Sequence, residues 1–377
     1  MNDIASKFHR PNGAYFLTHS IGLMPTITED ELNSSFLQHW QTADEHTWPA
    51  WLNTINDFNK ELATLFNSRS ELFCPQTNVS SGLSKLLQSL PGRNGKDVII
   101  ATEWDFPSAG FVLKQAERLG YSVRLIPKER DLQLRETWED YLDEDVQCVF
   151  ITQVVYSSNA LTPVEQICDI ARKKQIFSIV DIAQAAGIVP IDLSITKADM
   201  VVGSCIKWLC GGPGAGFLWV TDNLISQLEP FDVGWFSHKN PFEFDIQNFE
   251  YHDFASRFWG GTPSVIPYAI AASSLKLINS KGLQQIQRHN HQLSGLIQDS
   301  VPPECISSPY DFNQKGGTLV IDFTKLGESN KARVEQELKR NNIHFDGREL
   351  GFRFSPHIYN TEEEAANLTS CFSKLFK

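Results

Sequence analysis

Lys207 stands in an apolar stretch, VVGSCIKWLCGGPGAGFLWV at residues 201–220. A lysine held in apolar surroundings has a lowered pKa, which frees its amine to attack a carbonyl group. The ordinary alternative is that the side chain runs along apolar surface and leaves its ammonium in water. By itself, this residue does not distinguish a nucleophilic amine from a surface charge.

Polar groups with a related chemistry occur at two other positions. Asp181 ends the apolar run FSIVDIA, where a carboxylate is costly unless it caps a helix or pairs with a cation such as a protonated ring nitrogen. Ser80 and Ser81 open a helix in TNVSSGLSKLLQSL, and such a start suits a phosphate, although serine there is also an ordinary N-cap. Together with Lys207, these groups are what an aldehyde-bearing, phosphorylated pyridine requires.

The elements that would position these groups alternate along the chain from about residue 74 to 220. Apolar runs separated by helical patterns predict a mainly parallel sheet covered on both faces. Ligands of such sheets bind beyond the carboxyl ends of the strands, where Asp181 and Lys207 fall. A helix is predicted at 163–174, with proline at its start. The predicted strands are 97–102, 121–127, 146–156, 177–183, 198–204 and 216–220.

Beyond residue 260 the pattern is that of a smaller α+β domain. A helical region over 264–300 is followed by GGTLVIDF, NKARVEQELKRN, GFRFSP and a last helix from about 361. The first 40 or so residues have no long strand signal and are expected to pack against this domain. We therefore predict an α/β fold with a large domain over 45–260 and a small domain formed by 1–44 and 261–377.

Composition excludes several classes of partner. The 377 residues carry a net charge of -12, which gives no electrostatic footprint for nucleic acid or an anionic membrane surface. No apolar segment is long enough to span a bilayer, and the start MNDIASKFHR has no apolar leader. We expect a soluble, cytoplasmic protein. Seven scattered cysteines without a CxxC pair predict buried free thiols rather than disulfides or a zinc site.

The chain resembles the fold-type I pyridoxal-phosphate enzymes of the class V aminotransferase superfamily, and kynureninase among them. The segment 181–220, with its Lys-Trp-Leu-Cys-Gly-Gly-Pro-Gly run, resembles the aspartate-to-lysine block of kynureninase. YFLTHSIGLMP (15–25), DFPS (105–108) and VGWFSH (233–238) resemble three further segments of that family. The resemblance implies the PLP-transferase fold, pyridoxal 5'-phosphate as cofactor, and a homodimer with a shared active site.

The resemblance also implies roles for the residues around the cofactor ring. Lys207 would bond the cofactor aldehyde covalently and shuttle a proton, and Asp181 would pair with the pyridine nitrogen. Gln184 would touch the ring hydroxyl, and Phe106 would stack on the ring face, unless Phe106 is an ordinary core aromatic.

Further residues are implied for the phosphate and the substrate. Ser80, Ser81 and Trp235 would hold the phosphate, with Thr262 reaching it from the other subunit. The alternatives are a core aromatic for Trp235 and a turn residue for Thr262. Arg353, in GFRFSPHIYNTEEE, would bind the substrate α-carboxylate, since a guanidinium presents two parallel donors. Its alternative is a surface ion pair with the nearby glutamates.

Several positions depart from kynureninase and leave the reaction open. Gln184 stands for a histidine of that family, Ile206 for a tyrosine, Ala109 for an aspartate and His19 for an asparagine. The segment 341–352, NNIHFDGRELGF, has no cysteine before Arg353, which disfavours the persulfide chemistry of cysteine desulfurases.

We expect a small-molecule L-α-amino acid as substrate, cleaved at the β carbon as by kynureninase or a cysteine-conjugate C–S lyase. An aminotransferase, an epimerase, or a non-catalytic binding protein of the same fold are the alternatives. Candidates for shaping the pocket, each with a structural role as its alternative, are His19, His46, Trp48, Tyr156, His238 and His357.

Overall fold

A computed structural model describes residues 2–92 and 95–373 of the chain. The strands, numbered along the chain, are β1 Ala14–Tyr15, β2 Phe73–Gln76, β3 Val98–Thr102, β4 Ser122–Ile126, β5 Val146–Thr152, β6 Phe177–Asp181, β7 Met200–Ser204, β8 Gly216–Val220, β9 Leu319–Ile321, β10 Ile343–His344, β11 Asp346–Arg348 and β12 Gly351–Phe354.

Seven of these strands form one sheet in the order β2-β8-β7-β6-β5-β3-β4. The pairs β3–β4, β3–β5, β5–β6 and β6–β7 are parallel, while β8 runs antiparallel to both β7 and β2. The central strands are buried along their whole length, as expected for a sheet covered on both faces. The predicted α/β architecture with a mainly parallel sheet is therefore confirmed.

All six predicted strands are present, with small differences at their ends. The largest is at β5, which ends at Thr152 instead of 156, because the chain then folds back on itself through a bridge between Val154 and Leu161. The edge strand β2 was not predicted. It is only four residues long and contains Pro75, which removes one backbone donor and is tolerated at a sheet edge.

Helices cover both faces of the sheet and supply most of the remaining structure. The α-helices are α1 Asn2–Ala5, α2 Thr28–Leu32, α3 Gln38–Thr42, α4 Thr47–Leu65, α5 Val79–Ser89, α6 Pro107–Gln115, α7 Arg135–Glu139, α8 Val164–Lys173, α9 Asp222–Ile225, α10 Ile266–Lys281, α11 Leu283–Gln298, α12 Glu328–Arg340 and α13 Glu362–Ser373. A π-helical segment, Asn33–Leu37, joins α2 to α3. The helical region predicted over 264–300 is interrupted at Gly282, whose φ of 78° no L-residue adopts readily.

The second half of the chain builds a smaller unit. Strands β11, β12 and β9 form an antiparallel sheet, and β1 pairs in parallel with β10, which ties the amino-terminal segment to this unit. Two clusters of buried apolar side chains result. The smaller cluster includes Phe16, Leu319 and Phe354, whereas Phe8, Phe36 and the helix α10 contribute to the larger one. The boundaries proposed at 45 and 260 stay a prediction.

The cysteines and the helices give two further findings. The seven cysteines are all buried, and none of them forms a disulfide within the described residues. Within the described ranges, no helix combines the length and the apolar character needed to cross a bilayer, and no group of acidic, histidine and cysteine side chains is arranged to hold a metal ion.

Candidate active site

The candidate site lies at the carboxyl edge of the sheet, where four neighbouring strands end. β3 leads into Asp105 and Phe106, β5 into Tyr156, β6 into Gln184 and β7 into Lys207. Because parallel strands present their carboxyl ends at one edge, residues far apart in the sequence meet there.

Lys207 lies in the turn between β7 and β8 with its amine facing the site. Its Nζ atom is 5.7 Å from the centroid of the Phe106 ring. Among the described residues, the amine has no hydrogen-bond partner and no ion pair. Desolvation by the surrounding protein lowers its pKa to about 8, against an opposing effect of Asp181 and with a smaller contribution from Arg353. The amine is thus held partly unprotonated near neutral pH, as its apolar sequence context predicts.

Asp181 ends β6 as a buried carboxylate. Its Oδ1 accepts a 2.7 Å hydrogen bond from the backbone N–H of Ala183, so that it does cap the following turn. Burial raises its pKa, while the Ala183 N–H and the Lys207 amine act in the opposite direction. Asp181 thus caps the turn after β6, and its pairing with a ring nitrogen stays a prediction.

Asp105 is a second carboxylate at this edge, and sequence reasoning did not single it out. Its Oδ2 accepts from the backbone N–H of Thr102 at 2.7 Å, and its Oδ1 accepts from the Thr152 hydroxyl at 2.6 Å. Burial, with a contribution from Asp181, raises its pKa to about 7. The available signal was an aspartate directly before the Phe-Pro-Ser turn, but its partner Thr152 lies on another strand.

Phe106 and Tyr156 form one wall of the site. Their rings make an edge-to-face contact with centroids 5.3 Å apart. Phe106 is 46% exposed, which is the environment of a wall residue and not of a core aromatic. Its predicted stacking on a cofactor ring stays a prediction.

The start of α5 provides a candidate anion site. Asn78 caps this helix, and Ser81 closes a capping box with it: the Ser81 N–H donates to Asn78 Oδ1 at 2.9 Å, and its hydroxyl faces the Asn78 backbone. In the described ranges, the Ser80 hydroxyl has no hydrogen-bond partner. Of the two predicted phosphate ligands, Ser80 is thus free to bind, while Ser81 is already engaged in capping.

Arg353 is buried and points at the same site from β12. It donates from Nε to Oδ1 of Asp346 at 2.8 Å, from Nη2 to Oδ2 at 2.5 Å, and from Nη1 to the Tyr156 carbonyl at 3.0 Å. Its principal ion-pair partner is therefore Asp346, which sequence reasoning missed, and not the glutamates near 362. Each terminal nitrogen keeps one N–H for a further acceptor.

Gln184 and His19 connect the two halves of the site. The side-chain amide of Gln184 donates to the backbone carbonyl of His19 at 3.2 Å. The buried His19 ring contacts Asp346 through Nε2 at 3.1 Å and Ser355 through Nδ1 at 2.6 Å. Desolvation lowers the pKa of His19, and the nearby charges of Arg353 and Lys207 add to that effect.

Trp235 and Thr262 lie on two segments that a backbone hydrogen bond joins to each other. Trp235 packs among aromatic side chains, including Phe236 and Phe244. Thr262 is exposed and follows Gly260, whose carbonyl accepts from the Phe236 N–H at 3.1 Å. Within the described residues, neither makes a hydrogen bond, an ion pair or a ring contact with Lys207, so their phosphate contacts stay predictions.

Lys85 anchors these loops to the helix that opens with Ser80. Its buried Nζ donates to the carbonyls of Phe258 and Trp259 at 2.8 and 2.9 Å and lies 3.2 Å from Asp232 Oδ2. The sequence gives no sign of this role, because a lysine inside an amphipathic helix is usually a surface residue.

The remaining candidate histidines have structural partners of their own. His46 is exposed beside Glu45, and His238 contacts Glu243 and the backbone of Glu250. His357 is fully buried, with Nε2 2.7 Å from the Trp208 carbonyl, and burial lowers its pKa to about 4. It supports the turn that carries Lys207 without facing the site.

Comparison with known proteins identifies the family. The sequence profile of "Aminotransferase class-V" matches residues 52–368. The chain belongs to the class-V aminotransferase family. The predicted membership among fold-type I pyridoxal-phosphate enzymes is thereby confirmed.

Curated relatives of this class-V chain include several kynureninases. The kynureninase of Geobacillus thermodenitrificans is 27% identical over 394 residues, covering 97% of this chain and 89% of the relative. The "uncharacterized aminotransferase YcbU" of Bacillus subtilis is 26% identical over 317 residues, covering 84% and 82%. Identities of this size, over most of each chain, show a shared family. They do not show a shared reaction.

Solved structures share the fold of this class-V chain. The apo cysteine desulfurase of Thermococcus onnurineus superposes with a TM-score of 0.83 at 18% identity, covering 96% of this chain and 94% of that one. The cystine C–S lyase C-DES, in complex with its reaction product cysteine persulfide, has a TM-score of 0.83 at 18% identity, covering 96% and 97%. These likenesses confirm the fold-type I architecture of a large sheet domain with a smaller unit.

Proposed function

We propose that this class-V enzyme binds pyridoxal 5'-phosphate at Lys207 and acts on an L-α-amino acid whose carboxylate is bound by Arg353. The proposed reaction cleaves a bond at the β carbon, as in kynureninase or a cysteine-conjugate C–S lyase. The observation that carries the proposal is the convergence of an unpaired, desolvated amine, a buried carboxylate at Asp181 and a buried guanidinium at one edge of the sheet.

The residues present fit the cofactor. The Lys207 amine, with its pKa lowered to about 8, is a nucleophile available to an aldehyde. Asp181 is a carboxylate suited to a pyridine N–H. The free Ser80 hydroxyl and the first N–H groups of α5 supply donors for a phosphate at a helix start.

When bound, pyridoxal phosphate would supply an aldehyde that takes up an amino group and a ring that withdraws electron density from the adjacent carbon. Asp181 would keep the ring nitrogen protonated, which maximises that withdrawal. Gln184 would donate to the ring hydroxyl, and Phe106 would cover one ring face. Arg353 would hold the substrate carboxylate, and the Lys207 amine, once released, would take the proton from the α carbon and return it later.

Cleavage at the β carbon without a protein persulfide is favoured over a desulfurase reaction by the segment before Arg353. Residues 341–352 contain no cysteine, so a protein persulfide of the desulfurase kind has no carrier there. Kynureninases are among the relatives, and a cystine C–S lyase is among the structural neighbours. An aminotransferase is the second candidate, because the relative YcbU bears that name. An epimerase would share the same first proton transfer.

We further propose a homodimer in which Trp235 and Thr262 reach the phosphate of the partner's site. The exposed Phe242 and Phe244 pack against the Trp235 ring, and the exposed Phe231 lies four residues before it in the sequence. A patch of this kind on a single chain marks an interaction surface. Lys85 joins this surface to the helix that opens with Ser80, so that assembly and cofactor binding would be coupled.

The first test is reconstitution with pyridoxal phosphate, followed by absorption spectra with kynurenine, 3-hydroxykynurenine, cystine, cysteine and S-substituted cysteines. Borohydride reduction and peptide mass spectrometry should place the cofactor on Lys207, and Lys207→Ala should remove it. Release of alanine or pyruvate supports β-carbon cleavage, whereas turnover that requires a keto acid identifies an aminotransferase. Cofactor binding without turnover of any amino acid would support the non-catalytic alternative, and no lysine adduct would refute the proposal.

A further inference from the structure

We infer that His19 is a positioning residue, which fixes the Asp346–Arg353 pair in the one orientation that leaves the guanidinium open to the substrate's α-carboxylate. The inference rests on the proposed function, because it assigns Arg353 to that carboxylate. It adds a residue outside the family resemblance, in which this position is an asparagine.

The geometry begins with Asp346 and Arg353, which are register partners across β11 and β12. Asp346 receives the Nε and Nη2 donors of the guanidinium, and Tyr156 O receives one donor of Nη1. The unused N–H groups on Nη1 and Nη2 are the pair that a second carboxylate can accept. A rotated Asp346 would instead compete for those donors.

His19 holds Asp346 against such a rotation. Burial alone would raise the pKa of Asp346, but hydrogen bonds from His19 and Arg353 outweigh it and keep the carboxylate ionised. An ionised carboxylate only accepts hydrogen bonds, so the 3.1 Å contact requires a proton on His19 Nε2.

The contacts of Nδ1, on the other side of the ring, fit the tautomer with its proton on Nε2. Nδ1 of His19 lies 2.6 Å from the Ser355 hydroxyl, which lies 2.9 Å from the Thr318 hydroxyl. A neutral ring with its proton on Nε2 accepts from Ser355, which in turn accepts from Thr318. All three groups are buried, and this direction of donation satisfies each of them.

The backbone of this segment is held independently of the His19 side chain. The Gly22 N–H donates to the Ile206 carbonyl at 2.8 Å, next to Lys207, and the Ser355 N–H donates to the Phe16 carbonyl at 2.9 Å. A Cβ at position 22 would lie only 2.1 Å from the Lys207 carbonyl oxygen, so the segment is packed directly on the Lys207 turn. Substituting the ring should therefore change the orientation of Asp346 while the segment stays in place.

The test compares His19→Asn with His19→Gln. A glutamine amide reaches the position of Nε2 and can still donate to Asp346, whereas asparagine reaches only the Nδ1 side. In the cofactor-loaded protein, dissociation constants for L-alanine and L-alaninamide would be measured by spectral titration. His19→Asn should weaken L-alanine by about tenfold or more, the usual effect of a lost hydrogen bond to a charged group, and leave L-alaninamide unchanged. His19→Gln should restore L-alanine binding.

With the substrate identified, His19→Asn should raise KM far more than it lowers kcat. Thr18→Val is the matched control: it removes the buried contact of Thr18 with Tyr359 on the same segment and should not affect the discrimination between the two ligands. Equal weakening of both ligands, or no difference between the asparagine and glutamine variants, would overturn the inference.

A second readout needs no cofactor. Nitrogen-15 NMR of histidine-labelled protein, with the His19 signal assigned by its loss in His19→Asn, should show a neutral ring protonated on Nε2 at neutral pH. An Nδ1-protonated or a doubly protonated ring would contradict the network. If the wild-type protein forms no lysine adduct at all, the proposed function fails. A normal adduct in the wild type, together with equal weakening of L-alanine and L-alaninamide by His19→Asn, would overturn the role of His19 alone.

Discussion

Thr152 lies directly beside Asp181 in the register of β5 and β6, and its hydroxyl donates a 2.6 Å hydrogen bond to Asp105. Two carboxyl groups, one at the end of β6 and one in the turn after β3, therefore lie at the same edge of the sheet. Burial raises the pKa of both, and each ionised form disfavours that of the other.

The first prediction concerns the pH dependence of stability without cofactor. The pKa of Asp105 rises from 3.8 in the unfolded chain to about 7 in the fold, so the folded state binds a proton more tightly between these values. The free energy of unfolding should therefore fall as the pH rises from about 4 to about 7. Asp105→Asn should flatten this fall, as measured by urea unfolding at a series of pH values. An unchanged slope in the variant would contradict the assignment.

Lys207 is expected to destabilise the cofactor-free fold. Its pKa falls from 10.5 to about 8, so the unfolded chain binds the proton more tightly and the free energy of unfolding should rise between pH 8 and 10.5. Lys207→Met should be more stable than wild type below pH 8, and the difference should shrink as the pH rises through this window. Exposed Lys60→Met is the control, and an equal gain there would rule out burial as the cause.

We expect the Lys85 amine to stabilise the fold, because it donates hydrogen bonds to two backbone carbonyl groups. Lys85→Met would leave the Phe258 and Trp259 carbonyls without their donor, at a cost of about 1–3 kcal/mol for each unsatisfied buried group. The free energy of unfolding should drop accordingly, and cofactor retention should drop with it, because the loops of Trp235 and Thr262 lose their anchor. A variant with lowered stability but unchanged cofactor affinity would separate the two effects and leave only the structural role.

The proposed dimer predicts the effect of a charge on the aromatic patch. Phe244 is 74% exposed and stacks on Trp235 with centroids 5.9 Å apart. Phe244→Arg should convert dimers to monomers in light scattering and weaken cofactor binding at the same time. Ile195→Arg, at a position 77% exposed elsewhere on the surface, is the control. A variant that stays dimeric would place the interface on another face.

The sheet was predictable from the sequence because its signals are local. Runs buried on both faces are mostly apolar, and strands such as Val98–Thr102 or Phe177–Asp181 can be predicted without knowledge of their neighbours. Lys207 and Asp181 could be found for the same reason, since each is a charged residue at the end of an apolar run.

The missing parts of the site depend on partners distant in sequence. In the sequence Asp346 has the pattern of a turn residue, and its partner Arg353 is identified only by the pairing of β11 with β12. Asp105 has the pattern of an exposed residue, and its hydrogen bond with Thr152 is likewise seen only in the fold. The burial of Lys85 is created by carbonyls at Phe258 and Trp259, which no periodicity of α5 reveals. Position along the chain thus indicated which groups face the site, but not how they are paired.

The last prediction distinguishes Ser80 from Ser81, to which the sequence resemblance gives the same role as phosphate ligands. Ser81 is engaged in the capping box with Asn78, so Ser81→Ala should lower the free energy of unfolding by about 1 kcal/mol, as loss of a cap contact typically does. The Ser80 hydroxyl has no partner within the described residues, so Ser80→Ala should leave stability unchanged and weaken binding of pyridoxal phosphate. Unfolding in urea and equilibrium titration with pyridoxal phosphate and with pyridoxal measure the two effects. Equal weakening of both cofactor forms by Ser80→Ala would show that Ser80 does not bind the phosphate, because pyridoxal lacks that group.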